Sequence, residues 1–157
     1  MAKYTLQIAA ITLLCVLLLT ACGSTAAPVT PTPDLCAPEH IAAQVERIHR
    51  LTREFEDASR LAANTAISNL YAPVSDLQRI HREAQDLSVP ACLDKMHGAQ
   101  LAYMKMVVDT LVTFMGGAAD VNALGKGIAQ SRVLHDQYNV EVATALGLPI
   151  VTATPVP

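Results

Sequence analysis

Residues 90–117 read PACLDKMHGAQLAYMKMVVDTLVTFMGG, and this stretch decides the fold class. Leu93, Met96, Leu101, Met104, Val107, Val108, Leu111 and Met115 recur at steps that follow one face of an α-helix, not the alternation in twos of a half-buried strand. Pro90 suits the first helical turn, where its fixed φ is already helical and its missing N–H has no partner to lose. Gly116 and Gly117 mark the end, because glycine accepts the left-handed geometry of a C-cap. A segment with this period and marked ends predicts a long helix with one apolar face.

Three further segments follow the same period. The first runs from about Pro38 to Ala62 and turns Ile41, Val45, Ile48, Leu51, Phe55 and Leu61 inward, with Glu39 complementing the dipole of its first turn. The second begins between Asn69 and Pro73, carries Val74, Leu77, Ile80, Ala84 and Leu87, and ends before Ser88-Val89-Pro90. The fourth runs from about Ala118 or Asp120 to Leu146, with Gly147 and Pro149 as stop signals. Short connections make successive helices antiparallel neighbours. The expected fold is therefore all-α, an up-down-up-down four-helix bundle over residues 36–148. Composition agrees: aromatics are only 4% of the 157 residues, against a β-sandwich or barrel. With 11 Lys and Arg against 14 Asp and Glu, and no basic cluster, no nucleic-acid partner is expected.

The chain before the first helix reads differently. In residues 1–22, MAKYTLQIAAITLLCVLLLTAC, Lys3 precedes an apolar run from Ile8 to Leu19, followed by small residues. That is the layout of a secretory signal, and the run is too short and too lightly flanked for a membrane span. Its end, Leu19-Thr20-Ala21-Cys22, resembles the lipobox of bacterial lipoprotein precursors. The resemblance implies cleavage between Ala21 and Cys22 and a diacylglycerol on the Cys22 thiol. Residues 1–21 would then be a signal peptide, and acyl chains would hold the protein on the outer side of a bacterial membrane, at the cell surface or the periplasmic face. Gly23 lacks the Asp that retains some lipoproteins at an inner membrane. Residues 22–35, rich in Thr and Pro, are expected to be a disordered tether reaching roughly 35–40 Å at about 3.1 Å per residue. The tail 149–157 is expected to fray.

Four cysteines are present. On the lipoprotein reading Cys15 leaves with the signal and Cys22 takes the lipid, so Cys36 and Cys92 remain. Two cysteines in an exported domain are expected to pair as a disulfide, and their wide spacing excludes a CxxC redox or zinc motif. In an up-down bundle the starts of the first and third helices share one end, which is where this bridge would lie.

The histidines are the candidate chemistry. His97 falls within the apolar face of the third helix with Gln100 beside it, His81 lies with Leu77 and Ala84, and His135 shares a face with Ser131, Tyr138 and Val142. Counting the helical rise puts His81 and His97 both roughly 10 Å from the disulfide end. The favoured reading is a satisfied polar layer that includes Gln100 and Tyr138. The alternative is a metal or haem site with His81 and His97 as ligands and His135 or Tyr138 as a third. No inward carboxylate or thiolate completes such a set, so no cofactor is expected. His40 and His49 are read as flank or surface residues. Glu46-Arg47-Ile48-His49 is a single copy of an element that di-iron bundles need twice. Arg47, Arg50, Arg53, Glu54, Glu56 and Asp57 form a solvated face. Met96, Met104 and Met115 read as core packing and Met106 as an outer residue. Gly125-Lys126-Gly127 lacks the rest of a phosphate loop and reads as small residues that let the fourth helix approach a neighbour or bend.

No nucleophile, base and orienter can be assembled from the inward residues. By its organisation the mature part resembles small helical bacterial lipoproteins of unassigned function. The expectation is a non-enzymatic, lipid-anchored envelope interaction or structural module, bound to the membrane through its acyl chains and acting on an envelope protein. A metal or haem carrier is the alternative. An apolar pocket between helices is a third option that sequence does not reveal.

Overall fold

The computed structural model describes residues 33–117 and 121–150. The expected signal segment 1–21, Cys22, and most of the expected tether and tail lie outside the described residues. Four α-helices account for the domain: α1 (Pro38–Ala63), α2 (Tyr71–Gln85), α3 (Asp94–Met115) and α4 (Val121–Ala145). Short 3-10 turns at Ile67–Asn69 and Ala91–Leu93 lead into α2 and α3. Among the described residues there is no strand, and no helix is long and apolar enough to cross a membrane.

The punctuation marks act as their chemistry dictates. Pro38 occupies the first turn of α1 behind an extended Ala37. Gly117, at φ 68°, follows α3, and Gly147, at φ 64°, follows α4, both in the left-handed region that penalises any Cβ. The start of α3 departs from expectation. Pro90 is extended, Ala91–Leu93 make a 3-10 turn, and the α-helix begins only at Asp94. That turn carries Cys92 toward Cys36, and the two are joined with their Cα atoms 6.0 Å apart. Closing so long a loop stabilises the fold by about 4 kcal/mol in the chain-entropy account.

The apolar interior falls into two clusters. The larger joins Leu51, Phe55 and Ala58 of α1 to Val74, Leu77 and Ile80 of α2 and to Tyr103, Met104 and Val108 of α3. The smaller, toward the disulfide, gathers Val45, Ile48, Leu93, Met96, Ala99 and Tyr138. Leu61 does not join them. It is 62% exposed, because Ala58 and Ala62 occupy the inner face of the last turns of α1 and Leu61 lies about 100° round from its neighbour. On the surface, Arg79 of α2 reaches Glu54 of α1 at 2.8 Å while also engaging Asp76 and Glu83 of its own helix.

Helix α4 buries only Ser131 and Tyr138 among its described side chains and depends on close backbone approach elsewhere. A Cβ built on Gly127 would lie at or within 3.0 Å of three side-chain atoms of Thr110 on α3. Thr110 has little room to give, since its Oγ1 donates to the Met106 carbonyl and both branches of its side chain stand in the way. Gly125 faces open space. Gly127 is thus the small residue that admits a neighbour, and Gly125 has no such role. Gly127→Ala is expected to lower unfolding stability by about 1–3 kcal/mol through helix separation. Gly125→Ala should raise it by about 0.5–1 kcal/mol through helix propensity alone. Urea unfolding of the two variants measures both.

Candidate functional site

A belt of polar side chains lies where the two apolar clusters meet. Helical spacing places His49, Thr52 and Glu56 on one stripe of α1, Gln100 and Tyr103 on one stripe of α3, and His135 and Tyr138 on one stripe of α4. Gln100 and Thr52 are wholly buried. The Gln100 amide Nε2 donates to the Ile48 carbonyl at 2.8 Å and to Thr52 Oγ1 at 3.0 Å. Thr52 also interacts with the Tyr138 phenol, whose hydroxyl lies 2.9 Å from His49 Nδ1. Gln100 donates to Thr52, and Tyr138 donates to His49, while Gln100 Oε1 has no partner. Burial pushes the Tyr138 phenol up to about 12, so it keeps the proton it donates.

Beside this run, His135 Nε2 lies 2.8 Å from Glu56 Oε1, and Asn139 Nδ2 lies 3.3 Å from His135 Nδ1. With Asn139 donating to Nδ1, the ring carries its hydrogen on Nε2 and donates to the carboxylate. The ring of Tyr103 rests 4.9 Å from His135 and meets Phe55 edge-on at 5.7 Å. Burial also pushes the Tyr103 phenol up to about 12.

The histidines therefore divide differently from the sequence expectation. Tyr138 and Gln100 do share the polar layer, but His97 does not bond to Gln100. Its Nε2 donates to the Ala84 carbonyl at 2.7 Å, an acceptor in the last turn of α2 that also takes the Leu87 N–H at 3.3 Å. His49, expected at the flank, is half-buried against Tyr138, and Glu56, expected on the solvated face, is half-buried against His135. His40 stays at the flank, half-buried. His81 and His97 have different neighbours. Each Cβ tilts toward the start of its own helix. His97 leans toward the start of α3, where Ala84 receives it. His81 leans toward the start of α2 and interacts with Asp109 and Lys105, farther along α3. Among the described residues no three of His, Cys, Asp and Glu gather as a metal-binding group. The stripe His49, Thr52, Glu56 was the sequence signal for the belt, but periodicity names a face and not its partners.

The second feature is a cleft of about 480 Å³ at the far end from the disulfide. Ala62 of α1, Leu70 after the 3-10 turn, Val107, Leu111 and Phe114 of α3 and Leu124 of α4 give it apolar walls. Ser59 Oγ lies buried in the wall with no hydrogen-bond partner. Arg132 stands at the mouth, which opens into a shallower recess of about 310 Å³ that also includes Tyr103, His135 and Asp136. Comparison of the chain with protein-family models, with curated proteins and with solved structures finds no match.

Two outcomes follow from the belt and from His81. Tyr138→Phe leaves His49 Nδ1 without its partner, at a cost of about 1–2 kcal/mol in urea unfolding. His81 has its pKa lowered from 6.5, first by burial and then by Lys105 and Arg82, with Asp109 opposing. The unfolded chain therefore takes up this proton first as pH falls. Its neutral form carries no penalty well above pH 6.5, and stability declines as pH drops below that value. Thermal unfolding of His81→Gln across the same range should show a shallower decline than the parent.

Proposed function

We propose that this chain is a lipid-anchored, extracytoplasmic helical module that acts through its surface, folded as an up-down-up-down four-helix bundle. The observation that carries the reading is the covalent link between Cys36 and Cys92 at exposed positions. Such a link persists in oxidising compartments and is rare in the cytosol. It agrees with the signal-like segment and with Leu19-Thr20-Ala21-Cys22, which would place a diacylglycerol on Cys22.

Cross-helix partners support the bundle. Between α1 and α3 the pairs Cys36–Cys92, Ile48–Gln100 and Phe55–Tyr103 rise together in both numbers. Between α1 and α4 the pairs His49–Tyr138 and Glu56–His135 run in opposite senses. Odd helices pointing one way and α4 the other is the sense of an up-down bundle. For the surface, α4 leaves Ile128, Val133 and Val140 exposed, apolar groups that a partner protein would cover.

Cys22→Ser tests the anchor. The parent should fractionate with membranes and yield an acylated amino terminus by mass spectrometry. The variant should lose both the acyl mass and processing before Cys22. A photo-crosslinking amino acid at Val133 or Val140 in the native host should capture one envelope protein reproducibly. An unacylated parent with free Cys36 and Cys92 thiols would overturn the reading.

A further inference from the structure

The cleft at the far end of the domain has the parts of a site for an amphiphile: walls that are largely apolar, a few hydroxyl groups among them of which the buried Ser59 Oγ lacks a partner, and a cation at the mouth. The space is a cleft of about 480 Å³ that opens to the surface between α1, α3 and α4. It falls within the range of about 300–1,000 Å³ typical of ligand sites. At about 30 Å³ for each water-sized unit the space holds about 16 such units, room for an alkyl chain of about a dozen carbons and its head group. Leu70, Val107, Leu111 and Phe114 offer that chain no hydrogen bonds, while Ser59 Oγ is a buried hydroxyl without a partner.

The mouth sets the head group. Among the described residues Arg132 makes no ion pair or hydrogen bond, which leaves the planar fork of its guanidinium free for a carboxylate. Of the other charges nearby, His135 is engaged by Glu56, while Asp136 lines the adjoining recess together with Arg132 and makes no ion pair among the described residues.

We propose that this cleft binds a single-chain alkyl carboxylate, with the chain along α3 and the carboxylate on Arg132. The assignment does not depend on the anchoring of Cys22, and the test keeps the two apart. The full-length protein in phosphatidylcholine vesicles is irradiated with dodecanoate carrying a mid-chain diazirine, and labelled residues are mapped by mass spectrometry. Label is expected on Leu111, Phe114 or Leu124. It should be competed by dodecanoate at concentrations where dodecyltrimethylammonium has no effect. Arg132→Gln, an exposed change checked for unaltered helicity by circular dichroism, should cut labelling about tenfold, the loss of one charge-assisted contact. Cys22→Ser should leave labelling unchanged. Label scattered over the surface, equal competition by the cationic amphiphile, or indifference to Arg132→Gln would overturn the proposal. Label that emerges only in Cys22→Ser would also overturn it, since the chain's own acyl group would then be the occupant.

Discussion

The buried amide of Gln100 sets the axial relation of α1 and α3, and most of the structure is arranged around that relation. Its Nε2 has two acceptors on α1 one turn apart, the Ile48 carbonyl and Thr52 Oγ1. A slide of one helix by a single turn would strand a wholly buried donor, which costs far more than an apolar mismatch of the same size. With that level set, Cys36 and Cys92 meet at one end and Phe55 meets Tyr103 on the other side of the belt. The apolar clusters on either side tolerate displacement better, because Leu, Met and Val repack with small penalties. Polar atoms supply register and apolar area supplies cohesion.

Much of this was legible because local chemistry declares it. Pro38, Gly117 and Gly147 act through their own backbone preferences, and the helices they bound lie within a few residues of the periodic pattern. The pairing of Cys36 with Cys92 followed from counting. What escaped was contact between elements. Counting rise along two axes placed His81 and His97 at one level but did not name the Ala84 carbonyl as the partner of His97. Glu56 looked solvated because charge on the rim of a face resembles charge outside it. Nothing in α1 announces that α4 brings His135 opposite. The start of α3 differed because a disulfide partner and an extended Pro90 favoured a 3-10 entry over an early α-helix.

The belt and the cleft differ in how they treat polar groups. Along the belt the Gln100 amide donates to Thr52 and the Tyr138 hydroxyl pairs with His49, while Gln100 Oε1 is left without a partner. Such a network gives up some burial energy in exchange for a single arrangement of its helices. In the cleft Ser59 Oγ lacks a partner, and the guanidinium of Arg132 is unengaged.

Why the cleft stays open is a matter of packing geometry. An empty apolar space should shrink as neighbouring helices move in, since atoms that face a void forfeit dispersion attraction on that side. Helix α4 cannot make that move, because its backbone at Gly127 already rests against both branches of Thr110 with no side chain between. At its other end Tyr138 is held by Thr52 and His49. Between those points α4 offers Ser131 and the mouth residue Arg132, too small or too exposed to fill the space, while Phe114 and Leu70 line its other sides. The glycine that permits closest approach is therefore also the stop that prevents collapse. A cavity bounded by a hard contact keeps its volume when empty, which is the property a pre-formed site requires.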